Sequence, residues 1–269
     1  MKRYQWNAQD YEKHSLAQQK WARELLDKLS LHGTEDVLDI GCGDGKVTAE
    51  ISRLVSKGTI VGIDNSSSMI ALASKRYPPK DYPNLSFHEM DAGNLLFHEC
   101  FDLIFSNATL HWVKNQQPVI EGFFKGLRQK GKILLQLGGK GNAAEIVSIL
   151  SGMQTDPEWQ SYFEKFDFPF FFPGTDEYAS ILLKSGFKIN RLELIPKDMV
   201  HAGKTGLEGW IRTTWLGYTQ QVPAEKRDKF VDAISTKYIE RTPVDSKGRL
   251  HVQMLRLEVE AEKNELLFR

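Results

Sequence analysis

The chain has 269 residues, and its 35 lysine and arginine residues balance its 35 aspartate and glutamate residues. This balance argues against a nucleic-acid or membrane-surface partner, because it provides no field that attracts a polyanion. Two cysteines, a polar first segment and the lack of an apolar run of about 20 residues argue against a disulfide framework, a signal peptide and a membrane span. We therefore expect a cytoplasmic globular protein, and the sequence leaves monomer and homodimer open.

The first half of the chain alternates predicted helices and strands. Its apolar spacing predicts a leading amphipathic helix over residues 10–31. The strands predicted after it cover 36–41, 59–64, 84–92, 101–108 and 132–139, and the helices between them cover 44–55, 66–79 and 117–131. Such alternation is typical of a parallel sheet with helices on both faces.

The pattern changes after residue 140. The second half contains predicted helices at 143–153 and 176–187, a strand at 188–196, a mostly helical stretch at 206–242 and a last strand at 251–263. We therefore predict a single α/β domain over residues 1–269, with a doubly wound sheet and a helical cap, residues 205–242, inserted before the last strand.

A glycine-rich loop follows the first predicted strand, in the stretch VLDIGCGDGKVT. Gly41, Gly43 and Gly45 allow a ligand to lie against bare backbone. Ligands of open α/β sheets bind beyond the carboxyl ends of the strands, where this loop begins. Asp39, at the end of the strand, is a candidate acceptor for a cationic amine. A tight strand-to-helix turn without a ligand is the alternative.

Polar residues also end the next three predicted strands. Asp64 lies about 20 positions after the glycine loop, where an acidic residue commonly accepts hydrogen bonds from ribose hydroxyls. The alternative for Asp64 is a cap on the helix that follows. Asp91 is a candidate partner for an adenine amino group, and Asn107 ends the fourth strand. Polar groups at four strand ends on one edge of the sheet indicate a nucleoside ligand.

The spacing of the loop distinguishes between nucleosides. A dinucleotide fingerprint has a third glycine at its sixth position, whereas this loop has Lys46 there. Asp39 and Asp44 would oppose a pyrophosphate and suit a ligand with an ammonium and a sulfonium group. The loop therefore favours S-adenosylmethionine over NAD.

Four motifs resemble the class I S-adenosylmethionine-dependent methyltransferases, namely VLDIGCGDGKVT, VGIDNSSSMI, MDAGNL and FDLIFSNATLHWV. The resemblance covers about residues 10–140. Within that family, YEKHSLAQQ, SNATLHWV and GWIRTTWLGY resemble the trans-aconitate and juvenile-hormone acid methyltransferases, which methylate a carboxylate oxygen. The resemblance implies a Rossmann-like methyltransferase fold, with a seven-stranded, mostly parallel sheet whose last strand is antiparallel and lies between its neighbours.

The resemblance also implies a cofactor site. Asp39 and the first two glycines would hold the methionine end of the cofactor, Asp64 the ribose, and Asp91 with Ala92 the adenine. The full set implied to bind S-adenosylmethionine is Tyr11, Asp39, Gly41, Gly43, Asp64, Asn65, Met69, Asp91, Ala92 and Asn107. Tyr11 and Gln18, on the leading helix, would fold over cofactor and substrate.

Methyl transfer from a sulfonium needs mainly alignment of the reactants, and such alignment is worth about 7–11 kcal/mol. A carboxylate acceptor is already ionised and needs no general base. The candidate catalytic residues that would orient it are Gln18, His111, Trp112 and Arg212. Trp112 offers a donor-only N–H, and Arg212 is a candidate to bind a second carboxylate in a fork. The alternatives are a surface or capping role for His111, a core role for Trp112 and a solvated helix position for Arg212.

The predicted function is therefore methyl transfer from S-adenosylmethionine to a small molecule, with a carboxylate oxygen as the first candidate acceptor. Hydroxyl, nitrogen and carbon acceptors stay open. The alternatives are a catalytically silent S-adenosylmethionine-binding protein and an NAD-dependent oxidoreductase. No metal site is predicted, because His88, His98 and Cys100 lack a recognisable ligand spacing.

Overall fold

A computed structural model describes the backbone of residues 16–264 and the side chains from residue 19 onward. These residues form two compact units. We call residues 16–140, 170–195 and 256–264 the sheet unit, and residues 141–169 and 196–255 the helical unit.

Seven strands are connected mainly by helices. The strands are β1 (Val37–Ile40), β2 (Ile60–Asp64), β3 (Leu85–Glu89), β4 (Phe101–Asn107), β5 (Leu127–Gly138), β6 (Phe187–His201) and β7 (Leu250–Lys263). The helices are α1 (Leu16–Leu26), α2 (Lys46–Leu54), α3 (Ser67–Arg76), α4 (Gln117–Gly126), α5 (Ala144–Met153), α6 (Thr175–Lys184), α7 (Gly203–Thr214), α8 (Leu216–Thr219) and α9 (Arg227–Arg241).

The strands form one sheet in the order β3-β2-β1-β4-β5-β7-β6. The pairs from β3 to β5 are parallel, and β7 runs antiparallel to β5 while lying between β5 and β6. This arrangement confirms the predicted doubly wound, mostly parallel α/β fold. The carboxyl ends of β1, β2 and β4 lie at one edge, where the sequence places its polar residues.

Apolar residues that alternate along the strands cover the two faces of the sheet. One cluster packs Leu25 of α1 and Ile51 of α2 against Val37, Phe105 and other residues of one face. Residues one position further along the strands, such as Leu38, belong to a second cluster on the other face. Because successive side chains of a strand point to opposite faces, the strands β1, β2, β4 and β5 contribute to both clusters.

The end of α4 is where the predicted boundaries are wrong. The sequence predicts a helix to residue 131, whereas α4 ends at Gly126 and β5 begins at Leu127. Leu127 pairs with Phe101 of β4, and the guanidinium of Arg128 donates to Asp36 and Asp102, each at 2.8 Å. These partners are distant in sequence, so tertiary pairing overrides the local helical pattern.

The last two strands frame the predicted insertion. β6 continues to His201, five residues beyond its predicted end, because a proline is tolerated on an edge strand and Pro196 lies on one. The helices α7, α8 and α9 lie between β6 and β7 in the chain, as the predicted insertion at 205–242 requires. Its role as a cap over the substrate stays a prediction. Within residues 16–264, no helix has the length and apolar character needed to cross a membrane.

The helical unit has its own aromatic core. Trp159 packs edge-on against Phe230 at 5.1 Å between ring centroids, and Phe166 lies 4.4 Å from Tyr218. Trp210 is buried in the same unit beside Trp215, at 5.8 Å. Aromatic pairs in these geometries add about 0.5–1.5 kcal/mol each beyond the area they bury. The aromatic content of GWIRTTWLGY thus serves the core of this unit.

Candidate active site

The glycine loop joins β1 to α2 at the carboxyl edge of the sheet. Its three glycines have φ values of +74°, +55° and +80° at positions 41, 43 and 45, in the left-handed region that favours glycine. A Cβ on Gly41 would lie 2.2 Å from Thr109, and one on Gly45 would lie 2.7 Å from Phe87. A Cβ on Gly43 would meet no atom within 4 Å. Gly41 and Gly45 therefore serve packing, and Gly43 is the position that leaves open backbone.

Asp39 is a buried carboxylate next to this loop, with 3% of its surface exposed. Thr48 Oγ1 of α2 donates a hydrogen bond to Asp39 Oδ2 at 2.7 Å. Burial raises the pKa of Asp39 to about 7, the bond from Thr48 works against that rise, and the charge of Asp64 adds to it. Among the described residues, no lysine or arginine forms an ion pair with Asp39. An ammonium group would supply that missing positive charge.

Asp64 connects β2 to the glycine loop. Its Oδ2 accepts from the backbone N–H of Gly43 at 3.1 Å, and its Oδ1 accepts from that of Ser66 at 2.9 Å. Burial raises the pKa of Asp64, and the backbone hydrogen bonds oppose the rise. The residue that caps α3 is Ser66, whose Oγ accepts from Met69 N at 3.4 Å. The capping alternative for Asp64 is therefore wrong, and its ribose role stays a prediction.

The remaining predicted cofactor residues have different surroundings. Asp91 is in an exposed turn, where its Oδ1 accepts from Gly93 N at 2.8 Å. Met69 is buried on α3, while Asn65 and Ala92 are half-buried. Tyr11 lies outside the described residues. The structure thus brings Asp39, Gly43 and Asp64 together more directly than it does Asp91.

The exit of β4 contacts the glycine loop directly. Asn107 is half-buried at the end of the strand, and the next residue, Ala108, has a φ of +57°. Thr109 Oγ1 lies 3.2 Å from both the Gly41 and Asn107 carbonyl oxygens, to which it donates. Left-handed backbone in a residue with a side chain costs about 1–2 kcal/mol and clusters at functional sites.

His111 follows this exit in a short 3₁₀ turn (Leu110–Trp112) and is 5% exposed. The alternative that it is a surface histidine is therefore wrong. Its Nδ1 accepts a hydrogen bond from the backbone N–H of Gly138, the last residue of β5, at 3.4 Å. Burial, and secondarily the positive charge of Arg256, lowers the pKa of His111 well below its usual value. This environment favours a neutral imidazole, and the hydrogen bond to Nδ1 assigns its proton to Nε2, where it would act as a donor.

Trp112 lies half-buried against an aromatic wall, with its ring centroid 4.6 Å from that of Phe170. Phe170 and Phe172, which stack at 5.3 Å, each lie 5.9 Å from the His111 ring. The loop that contains Phe170 and Phe172 therefore lines the His111 turn. The donor role of Trp112 and its alternative, a core role, both stay predictions.

A glutamine that sequence reasoning missed holds this turn. Gln116 is buried, and its amide donates to the carbonyl oxygens of Leu110, at 2.7 Å, and Val113. Its Oε1 accepts from the hydroxyl of Tyr178 on α6 at 3.2 Å. The only signal in the sequence is a glutamine just before a predicted helix, which does not distinguish it from an ordinary polar residue.

The arginine predicted from the sequence, Arg212, is not the arginine that lies in the sheet unit near His111, which is Arg256. Arg212 is half-buried on α7 of the helical unit, so its solvated alternative stays open. Gln18 is on α1, at a position whose side chain is not described. In the sheet unit, Arg256 of β7 is 3% exposed and its guanidinium lies over the ring of Trp21, 5.7 Å from the centroid. Sequence reasoning missed Arg256, although a charged residue between two leucines of a predicted strand is a signal.

Three parts of this site define its class: a seven-stranded sheet with one antiparallel strand, a glycine loop with one open face, and a buried carboxylate to which the described residues bring no cation. They fit a ligand with an ammonium group and a nucleoside, as S-adenosylmethionine has. In residues 16–264, no group of three histidine, cysteine, aspartate or glutamate side chains is placed to hold a metal ion.

Comparisons with known proteins identify the family. The family model described as a methyltransferase domain matches residues 31–166. An uncharacterized methyltransferase of Schizosaccharomyces pombe is 32% identical over 197 residues, covering 71% of this chain and 74% of its own. The trans-aconitate 2-methyltransferase of an Enterobacter species is 26% identical over 255 residues, covering 94% and 96%. A putative methyltransferase structure from Bacillus halodurans has a TM-score of 0.63 at 16% identity, covering 90% of this chain and 98% of that one.

The chain therefore belongs to the methyltransferase domain family, and it is a class I S-adenosylmethionine-dependent methyltransferase. The resemblance seen in the motifs is confirmed. The NAD-dependent alternative is set aside, since the fold and the family are those of methyltransferases.

Proposed function

We propose that this enzyme methylates a carboxylate oxygen of a small molecule. The observation that carries the proposal is the environment of His111, which is buried and whose Nδ1 accepts from the N–H of Gly138. We infer from that hydrogen bond that the proton of the neutral ring is on Nε2. A further proton on the ring is disfavoured by burial and by Arg256. His111 thus cannot take a proton from a hydroxyl or amine acceptor, whereas a carboxylate arrives already ionised.

The cofactor site is proposed from the same residues that the motifs indicate. When bound, S-adenosylmethionine supplies a methyl group made electrophilic by the sulfonium. Asp39 would accept the cofactor's ammonium, the open backbone of Gly43 would lie against it, and Asp64 would accept from ribose hydroxyls. Asp64 also binds the N–H of Gly43, so the ribose partner and the loop are held in one arrangement.

The residues that follow β4, His111 and Trp112, would orient the acceptor. The His111 Nε2–H and the indole N–H of Trp112 are neutral donors, which align a carboxylate with less loss of nucleophilicity than a full positive charge would cause. No proton leaves the acceptor, because the ester forms as the carboxylate oxygen takes the methyl group. The aromatic wall of Phe170 and Phe172 beside His111 limits water near the reacting atoms.

A relative supports this acceptor class. The similar Enterobacter protein is named a trans-aconitate 2-methyltransferase, and trans-aconitate is a small carboxylic acid. We also propose that the enzyme acts in the cytoplasm, as a monomer or homodimer, without a nucleic-acid or membrane partner.

The test is S-adenosylhomocysteine release across matched acceptors: trans-aconitate, crotonate, a phenol and a primary amine. We expect turnover with the acids and none with the phenol or the amine. The variant His111→Gln, which retains an N–H donor, should retain more activity than His111→Phe, which has none. Faster methylation of the phenol or the amine than of every acid would rule out the proposed acceptor.

A further inference from the structure

Arg256 lies at the same edge of the sheet as His111. Its Cα pairs with that of Gly138 across β5 and β7, and the N–H of Gly138 is the group that binds His111 Nδ1. Gly138, at the carboxyl end of β5, is therefore next to both Arg256 and His111. Burial lowers the pKa of His111, and the positive charge of Arg256 acts in the same direction.

The guanidinium is enclosed and not extended into solvent. Arg256 is 3% exposed, on the face of the sheet that α1 covers, and lies over the ring of Trp21. An arginine stacked on an aromatic ring is held in a fixed plane. Its five N–H donors in a rigid fork can serve a protein group and a ligand carboxylate together.

The neighbouring cations on this face, Lys28 and Arg191, bind a carboxylate of the protein itself. Glu258, two residues after Arg256 on β7, is fully buried. Its carboxylate accepts hydrogen bonds from Lys28, from Arg191 at 2.7 Å and from the side-chain amide of Gln136 at 3.0 Å. Lys28 and Arg191 thus form a structural cluster around one carboxylate. Arg256 is nearer to the end of β5 and to the His111 turn, where an acceptor is proposed to bind.

A cation affects the reaction differently when it binds the carboxylate that is methylated and when it binds one that stays ionised. A carboxylate loses its charge as it becomes an ester, so a cation bound to it stabilises the ground state more than the transition state. A buried arginine on the reacting group would therefore slow the reaction. The same arginine on a carboxylate that stays ionised throughout gives affinity and orientation without that penalty.

We propose that Arg256 binds a second, non-reacting carboxylate of the acceptor, so that the substrate is a di- or tricarboxylic acid. This inference rests on the proposed function, and within it the neutral His111 faces the carboxylate that is methylated. The arginine that the sequence predicts for such a fork, Arg212, belongs to the helical unit, whereas Arg256 shares the sheet unit with His111.

The experiment compares trans-aconitate, a tricarboxylate, with crotonate, a monocarboxylate of similar chain. In the unaltered enzyme, we expect the KM for trans-aconitate to be about 10- to 100-fold lower, as charged hydrogen bonds provide. In Arg256→Gln this difference should disappear, while S-adenosylhomocysteine affinity, measured by calorimetry, stays unchanged. Arg256→Lys keeps the charge but not the fork and should lie between the two.

The matched control is Arg191→Gln, which removes a half-buried arginine that pairs with Glu258. It should lower the melting temperature and leave the KM ratio of the two acids unchanged. Binding of tricarballylate to the S-adenosylhomocysteine-loaded protein gives a second measurement that needs no turnover and compares the same variants. It should weaken in Arg256→Gln and not in Arg191→Gln.

The outcomes separate this inference from the proposed function. Acid methylation with the same KM ratio in Arg256→Gln overturns the role of Arg256 and leaves the function standing. Turnover of a phenol or amine alone overturns the proposed function. In that case, tricarballylate binding to the Arg256→Gln and Arg191→Gln variants still tests whether Arg256 binds a carboxylate. If the unaltered protein does not bind tricarballylate, or if both arginine variants lose it equally, Arg256 is a structural residue.

Discussion

Thr109 occupies the space that a side chain on Gly41 would need. A Cβ on Gly41 would lie 2.2 Å from the Thr109 Oγ1 and Cγ2, and Oγ1 donates to the Gly41 carbonyl at 3.2 Å. The turn after β1 and the exit of β4 are thus fitted to each other. This contact explains one of the three glycines without a ligand.

Gly41→Ala should destabilise the protein by about 2–4 kcal/mol, since overpacking adds to the cost of a left-handed alanine. Denaturant unfolding measures the change. Gly41→Ala combined with Thr109→Ala, which removes both side-chain atoms at 2.2 Å, should regain part of the loss. Equal stabilities of Gly41→Ala and the unaltered protein would contradict the observed contact.

Gly43→Ala should behave differently. A Cβ there meets no atom within 4 Å, so the expected stability loss is only the backbone cost of about 1–2 kcal/mol. The added methyl group would project into the open side of the loop, and S-adenosylhomocysteine affinity should fall sharply. Calorimetry on a protein shown to be folded by circular dichroism tests this. Unchanged affinity would remove Gly43 from the cofactor site.

Cofactor affinity should depend on pH through Asp39. Burial raises its pKa to about 7, and only the ionised carboxylate attracts an ammonium group. Affinity for S-adenosylhomocysteine should therefore fall as pH drops from 8 to 6. The stability of the fold changes in the opposite direction. Because the pKa of Asp39 is raised on folding, the free energy of unfolding decreases as pH rises from the unfolded pKa of this carboxyl to about 7. Asp39→Asn should bind weakly and lose this pH dependence, which distinguishes Asp39 from other titrating groups.

Gln116 should control the geometry of the His111 turn. In Gln116→Leu, the Val113 carbonyl loses a buried donor at a cost of about 1–3 kcal/mol, while the Leu110 carbonyl keeps its bond from the Val113 N–H. We expect a higher KM for the acceptor and little change in S-adenosylhomocysteine affinity. Tyr178→Phe removes only the bond to Gln116 Oε1 and should have a smaller effect of the same kind. Loss of cofactor affinity and acceptor binding in equal measure would indicate general unfolding instead.

Glu258 should be a major source of acid sensitivity in the sheet unit. Burial works to raise its pKa, but hydrogen bonds from Lys28 and Arg191 outweigh that effect and lower it. Its contribution to stability is therefore present above its unfolded pKa and lost as pH falls through the lower folded value. Glu258→Gln should cost about 3–5 kcal/mol at neutral pH, and less as pH falls. Unfolding curves at several pH values measure the difference.

Several features were predictable because they are local. Alternating apolar residues located β1, β2 and β4, and a glycine spacing with Lys46 at its sixth position indicated the cofactor class. Parallel strands place their carboxyl ends at one edge, so the sequence order alone put Asp39, Asp64 and Asn107 there. Family membership is confirmed, while the roles of these residues remain predictions.

Other features depend on partners far away in the chain. The start of β5 was set by Phe101 and the carboxylates that hold Arg128, not by the helical pattern that precedes it. Gln116 acquires its function only through Tyr178, 62 residues later. A sequence pattern does not contain these distances.

The sequence by itself determined the class of this protein, because glycine spacing and strand periodicity act over a few residues. Only the tertiary structure decided which glycine has open backbone, that His111 Nδ1 accepts from Gly138, and that Arg256 lies near that histidine. Those properties arise from burial and from the field of groups far apart in the chain, and they exist only once the strands have paired.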